Sequence, residues 1–378
     1  MQFKRTIEEK ILSSCFLWDV IIIYWARQVW KTTLCKKLWG DQKDALYVSC
    51  DDPGTTDLLN NASLAVLKNW LNWYRILIID EAQRVKTIWI TIKLIIDNIP
   101  WIQVIATWSS SFWLANNVQE PLTWRTSTFF LHPISIEELR ENTPLHEQVP
   151  LLEQRMIYWM YPRNIILNDA KHLFELTEAY AYKDLFMHEN LKKSDLVVKL
   201  LQALALQIWS EVSYNELSQL LSADVKTIQK YITLLEQSFI IFRLPSFARN
   251  LRNELKRSQK IYFWDIGVRN WILRNTQPLE LRNDVWNIWE NFIISERMKY
   301  IQNHEIFTNH FFRRNTIGAE IDYIETNFWD QLDAYEIKWS TKKNPSIPKA
   351  FKEGYSNANF SVINPNNALN WVMGKPLS

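Results

Sequence analysis

Over the first 140 residues, short apolar runs alternate with amphipathic stretches, which predicts βαβ units around a parallel sheet. Asp19–Tyr24 reads as the first strand and Lys31–Leu38 opens the following helix. Ala45–Cys50, Arg75–Asp80 and Gln103–Thr107 read as further strands. The segment from Pro133 to Leu139 closes this unit, with Ser135 placed to cap the next helix. Residues 141–190 read as helical, with a break from Tyr158 to Pro162. The period then changes. Leu196–Ile208, Tyr214–Leu221 and Val225–Gln237 read as three helices ahead of an apolar run, Phe239–Leu244, an order that predicts a winged helix-turn-helix. The remainder mixes strands (Lys260–Asp265, Glu320–Glu325, Asp333–Trp339, Phe360–Ile363) with one long helix, Val285 to Tyr300.

Composition narrows the class. Hydrophobic residues make up 47 % and charged residues 22 % of 378, enough to bury a sizeable core and too apolar for a disordered chain. A net charge of +2 gives no overall field, so any nucleic-acid site must be a local patch. Cys15, Cys35 and Cys50 are far apart, which is neither a disulfide framework nor a zinc pattern. Neither a signal peptide nor a membrane-spanning run is apparent. The expectation is a soluble, cytoplasmic, multidomain α/β protein with no membrane partner.

Twenty tryptophans and six glycines change how the motifs must be read. Together they restore roughly the usual glycine share of about 7 %. Trp25-Ala26-Arg27-Gln28-Val29-Trp30-Lys31-Thr32-Thr33 becomes the phosphate-binding loop G-x-x-x-x-G-K-[ST] if glycine stands at positions 25 and 30. A UGA codon reassigned to glycine but read as tryptophan would write this signature. The loop needs glycine because successive backbone N–H groups must curl around phosphates at positive φ and close approach. Lys31 then reaches the β- and γ-phosphates of ATP, and the Thr32 hydroxyl binds Mg²⁺. Taken literally, Trp30 crowds the phosphate space.

Ile76 to Glu81 supplies the matching Walker B pattern, an apolar strand ending in Asp80 for the metal and Glu81 to polarise the attacking water. Ser109 follows the next strand and brings a hydroxyl toward the γ-phosphate. Arg125 reads either as an arginine that stabilises transition-state charge or as a structural ion pair.

These residues resemble prokaryotic AAA-superfamily ATPases with a nuclease-like C-terminal domain of uncharacterised function. The resemblance rests on IDEAQRV, on the stretch from Lys93 to Arg125, on HPISIEEL, and on later segments including YITLLEQSFIIFRL, KIYFWDIGVRN, EIDYIE and AYEIKW. Where the family pattern has glycine, this chain has Trp25, Trp30, Trp89, Trp108, Trp124, Trp159, Trp209 and Trp286; Trp289 and Trp339 fall at aromatic positions.

Lys226, Thr227, Gln229 and Lys230 open the third helix of the winged segment, and the 243–260 stretch is basic (Arg243, Arg249, Arg252, Lys256, Arg257, Lys260 against Glu254). Both are candidate DNA contacts; the alternative is a solvated face that binds protein. In the last domain, Asp322 and the Glu336-Ile337-Lys338 segment form a D…E-x-K pattern. Glu336 and Lys338 share a strand face, so with Asp322 they are placed to hold Mg²⁺ and steady a hydrolytic water. Glu290 matches the acidic helix residue of restriction-endonuclease-like folds; the bland reading is a surface ion pair.

The expected organisation is therefore a P-loop ATPase domain (1–140), a helical segment (141–194), a winged helix-turn-helix (195–246) and a nuclease-like α/β domain (247–378). The expected function is Mg²⁺-dependent ATP hydrolysis coupled to a DNA- or partner-binding module. The alternatives are a nucleotide-inactive binding protein and an ATPase-gated nuclease.

Overall fold

The computed structural model describes residues 3–17, 19–25, 29–40, 42–109, 125–140, 148–167, 194–247, 259–314, 320–327, 331–342, 345–355 and 357–377. The chain forms two compact units. Unit 1 is Met1–Ile134 with Gln237–Phe239, and unit 2 is Ser135–Glu236 with Ile240–Ser378.

Unit 1 is a five-stranded sheet: β1 (Val20–Trp25), β2 (Ala45–Ser49), β3 (Ile76–Asp80), β4 (Gln103–Trp108) and β5 (Thr126–Leu131). The spatial order is β2-β3-β4-β1-β5 and every pairing is parallel. Parallel strands covered on both faces must be apolar along their whole length. That explains β1, β3 and β4, which are buried at every position, while β2 on one edge is half-buried. β4 is inserted between the first and third strands, so β1 sits where the winding direction reverses. In open α/β sheets, a crevice for ligands forms there, beyond the carboxyl ends of the strands.

Local chemistry fixes the helices. Asp52 accepts from the Thr55 N–H at 2.8 Å and Pro53 occupies the first turn of Pro53–Asn61; Ser63 accepts from Val66 at 3.4 Å to start Leu64–Leu71.

Unit 2 opens with helix Ile136–Arg140, capped as its sequence predicts. The Glu138 N–H donates to Ser135 Oγ at 3.2 Å, and the Ser135 N–H donates to Glu138 Oε2 at 2.9 Å, a reciprocal capping box. Helices Gln148–Ile157 and Pro162–Leu167 flank the expected break. Then come helix Ser194–Leu206, β6 (Glu211–Val212), helices Tyr214–Leu221 and Val225–Gln237, β7 (Ile241–Pro245) and β8 (Gln259–Phe263). The three strands form an antiparallel sheet in the order β6-β8-β7. Helix Ile266–Ile272 packs so tightly that a Cβ on Gly267 would lie 2.7 Å from the Trp159 backbone nitrogen, so only glycine fits there.

The last part of unit 2 is a four-stranded sheet, β9 (Asn309–Arg314), β10 (Glu320–Thr326), β11 (Leu332–Ile337) and β12 (Asn359–Ile363), in the order β12-β11-β10-β9. A bulge in β10 shifts its register against β9 between Ile321 and Ile324. Ile321 and Ile324 both enter the core with Leu332, Ala334 and Phe351. An odd spacing puts two residues of a regular strand on opposite faces, so the extra residue is what lets both isoleucines face one core.

Helix Val285–Asn303 is buried nearly all round, polar residues included. Each buried charge has its counterpart: Arg297 donates to both oxygens of Glu325 at 2.7 and 2.9 Å, and Lys299 meets Glu296 at 2.6 Å. Asn291 acts as a further clamp, accepting from the Phe263 N–H at 2.9 Å and donating to its carbonyl at 2.8 Å.

Candidate functional sites

The first site lies in unit 1 at the carboxyl ends of β1, β3 and β4. Trp30 ends the loop in left-handed backbone, φ 65° and ψ 40°, and helix Lys31–Trp39 starts immediately after it. This conformation suits glycine and costs an L-residue about 1–2 kcal/mol. The Trp30 ring lies 6.3 Å from that of Phe3, and Trp25 and Val29 are buried. Ala26, Arg27 and Gln28 lie outside the described residues.

Lys31 reaches across to β3. Its ammonium is 3.0 Å from Asp80 Oδ1, is ion-paired with Glu81, and sits 4.3 Å over the Trp25 ring. Burial pulls the Lys31 pKa down while the Asp80 carboxylate pushes it back up. Glu81 itself has φ 53°, a rare left-handed turn for this residue type. That turn brings its carboxylate back toward Lys31, and strain of about 1–3 kcal/mol at such positions clusters where function demands it. Thr32 and Thr33 are half-buried in the first turn of the helix.

Three further groups complete the site. The Tyr47 hydroxyl on β2 donates to Asp80 Oδ2 at 2.5 Å, which places a phenol on the expected metal carboxylate. Burial and the Asp80 hydrogen bond raise its pKa. Thr107 donates to Asp80 Oδ1 at 2.6 Å and accepts from the Glu81 N–H at 3.1 Å. Gln83 donates to Ser109 Oγ at 2.8 Å and to Glu81 Oε2 at 2.5 Å, tying Ser109 to the Glu81 carboxylate. The donor set of hydroxyls, hard carboxylates and one lysine fits a magnesium nucleotide.

Arg125 is elsewhere. Its carbonyl accepts from the Val20 N–H at 2.9 Å and its guanidinium pairs with Asp97 at 2.6 Å. It therefore lies at the amino end of the sheet, about 20 Å of strand from the loop, and the γ-phosphate role within one chain is corrected to an exposed ion pair.

The second site lies in unit 2. Asp322, in the β10 bulge, accepts from the Ile337 N–H at 2.7 Å. Lys338, one residue past β11, meets Glu336 at 2.6 Å and lies 3.6 Å from Asp322. The structure thus brings Asp322, Glu336 and Lys338 together. Glu290 joins them electrostatically from the long helix: burial raises its pKa, and the Asp322 charge raises it further. Glu336 is likewise pushed up to about 7, by burial and then by Asp322.

Lys260 belongs to this cluster and not to a solvent-facing DNA patch. It is 2 % exposed and pairs with Glu290 at 3.1 Å and Glu320 at 2.6 Å. Arg243 is paired with Glu236, and Arg249, Arg252, Glu254, Lys256 and Arg257 lie outside the described residues. Among the described residues, no group of three or more His, Cys, Asp and Glu side chains is arranged to hold a metal ion. Lys226, Gln229 and Lys230 are exposed at the start of their helix, and Thr227 is half-buried. No helix among the described residues is long and apolar enough to cross a membrane.

Comparison with known proteins divides the chain in three. Residues 18–140 match the AAA domain family, residues 149–279 a domain of unknown function (DUF8612), and residues 287–372 a second domain of unknown function (DUF4143). No curated protein matches. Among solved structures, the chain is similar to a Walker-type ATPase of Pyrococcus abyssi, 15 % identical over 72 % of this chain and 96 % of that one, with a TM-score of 0.47. It is also similar to the ORC1 protein of Aeropyrum pernix in complex with DNA, 13 % identical over 72 % and 93 %, TM-score 0.34. A third is a STAND-type signal transduction ATPase of Pyrococcus horikoshii, 16 % identical over 81 % and 48 %, TM-score 0.30. The family match and the parallel sheet, with its loop after β1 and its Asp-Glu pair after β3, make residues 18–140 an AAA-type P-loop ATPase domain.

Proposed function

We propose that this protein binds ATP with Mg²⁺ and hydrolyses it, using the change in nucleotide state to reposition its C-terminal modules. The observation that carries the reading is the convergence of Lys31, Asp80 and Glu81 beyond the carboxyl ends of β1 and β3. Bound Mg²⁺-ATP supplies the transferable phosphoryl group and its charge neutralisation. With the nucleotide bound, Lys31 would pair with the phosphates in place of Glu81, and Thr32 and Asp80 would hold the metal. Glu81, once released, orients the attacking water, while Ser109 and Thr107 keep the strand ends in place. Replacing Lys31 by alanine is expected to lower ATP turnover at least about 100-fold, read as phosphate release. Turnover unchanged in Lys31→Ala sinks the proposal.

The same reading assigns glycine to positions 25 and 30 in the cell. It is supported by the left-handed backbone at Trp30 and by the buried stack of Trp89 on Trp108, centroids 4.7 Å apart, whose indole nitrogens both lack partners. Trp289 and Trp371 also have unpartnered buried nitrogens, so that criterion alone does not sort the tryptophans. The intact mass of the protein from its own organism decides, and UGG codons at both positions overturn the assignment.

A second reading, DNA contact by unit 2, is favoured by its helix–strand–helix–helix–strand–strand order and by exposed Lys226, Gln229 and Lys230. A gel shift that weakens with salt tests it, and the loss should soften in Lys226→Ala/Lys230→Ala. The nuclease-like reading rests on Asp322 and Glu336 as a cation-holding pair.

A further inference from the structure

Lys260 carries its ammonium into the interior of unit 2, where a charge persists only if it is paired. Its partners are Glu290 Oε1 at 3.1 Å and Glu320 Oε1 at 2.6 Å, with the Phe312 ring 5.5 Å away. Tyr262, two residues along β8 and so on the same strand face, donates to the same Glu290 oxygen at 2.7 Å. The other oxygen, Glu290 Oε2, is buried and has no partner at all, although Glu290 is only 1 % exposed. A buried carboxylate oxygen left unsatisfied marks a missing donor or cation.

The ligand chemistry points the same way. Glu290 and Glu320 share Lys260, and Asp322 and Glu336 share Lys338. The carboxylates are all hard oxygen ligands of the kind Mg²⁺ and Mn²⁺ prefer. The cluster also has a way in, since Glu320 is 28 % and Lys338 26 % exposed. What fills the Glu290–Glu320 gap is the lysine, and it cannot easily leave: Asn291 clamps both backbone groups of Phe263 and fixes β8 against the helix that carries Glu290.

We propose that Lys260 is a tethered cation standing in the place of a divalent ion between Glu290 and Glu320. The cluster then binds Mg²⁺ or Mn²⁺ tightly only when that lysine is withdrawn. The proposal rests on the reading of Asp322 and Glu336 as a cation-holding pair, and the test separates the two. Mn²⁺ binding to the nucleotide-free full chain is followed by paramagnetic resonance in wild type, Lys260→Met and Lys260→Arg. Lys260→Met is expected to bind one Mn²⁺ at least about tenfold more tightly than wild type, because two carboxylates lose their ammonium. Lys260→Arg, which keeps the cation, should match wild type, and adding Asp322→Asn to Lys260→Met should abolish the gain.

Equal Mn²⁺ affinity in wild type and Lys260→Met overturns the tethered-cation role and leaves the cation pair standing. No binding in either overturns both. Should Lys260→Met not fold, Lys260→Gln serves: Mn²⁺ must raise its Tm and not that of wild type. A Tm indifferent to Mn²⁺ overturns the proposal.

Discussion

Unit 1 and unit 2 each set lysine against carboxylates, and they do so in opposite ways. In unit 1 the lysine is the first residue of a helix, next to a left-handed loop end, and its own pKa is pulled down by burial. Its carboxylate partners sit at a strand end, where the crevice opens. In unit 2 one cation lies in β8 and the other just past β11, and Lys260 is clamped between a helix and a sheet with its pKa raised well above the ordinary value despite burial. An ammonium at a helix start can swing to a phosphate without disturbing the core. One held by β8 cannot. The difference separates a site whose lysine is free to exchange partners under the proposed mechanism from a site whose lysine is part of the architecture.

The comparison breaks first at Glu81. Its replacement by glutamine keeps size and hydrogen bonding but removes the charge to which the proposed mechanism assigns the orientation of water. Turnover should fall about 10²–10⁴-fold while nucleotide binding persists; a variant that also stops binding nucleotide would make Glu81 an anchor of the loop and not a catalytic group.

The buried character of unit 2 is sharpened by pH. Burial lowers the His310 pKa to about 4, and its ring takes a 2.7 Å hydrogen bond with the Tyr323 hydroxyl. The folded state therefore holds this imidazole neutral and binds fewer protons than the unfolded chain between the ordinary value of 6.5 and about 4. His310 stabilises fully above that window, and the contribution, about 3 kcal/mol, is lost as pH falls through it. Denaturant melts of His310→Gln should lack that part of the acid sensitivity. An unchanged slope would place the acid sensitivity elsewhere.

The smallest effect is expected at Tyr47. Tyr47→Phe removes the hydroxyl that donates to Asp80, costing about 1 kcal/mol of stability and shifting the Mg²⁺ dependence of ATP turnover. No shift would make Tyr47 a packing residue alone.

The sequence pattern recovers the buried strands well and the borders poorly. β5, β6 and β9 have no counterpart in the apolar pattern, and each is an edge of its sheet. An edge strand is covered on fewer sides, so it can afford residues such as Thr126, Ser127, His310 and Arg313 that do not announce a strand. The same logic governs the sites. Lys31, Asp80 and Glu81 are legible because a motif fixes their spacing along the chain. Tyr47 and Thr107 reach Asp80 from positions set only by strand order, while Gln83 reaches Glu81 from two residues along the same turn. Lys260 reads as one more member of a basic stretch, since nothing in its neighbourhood shows that β8 turns it inward onto Glu290.

The bulge in β10 has an arithmetical consequence. With the extra residue, Ile321 and Ile324 both reach the core and Asp322 is held on the Ile337 amide between them. Remove any one residue from that interval and parity is restored. One isoleucine must then turn outward, or the strand must slide along β9 and carry Asp322 away from Lys338. The cluster in unit 2 is thus encoded by chain length as much as by side-chain identity. A family member could keep every acidic residue and still lose the site through a single deletion.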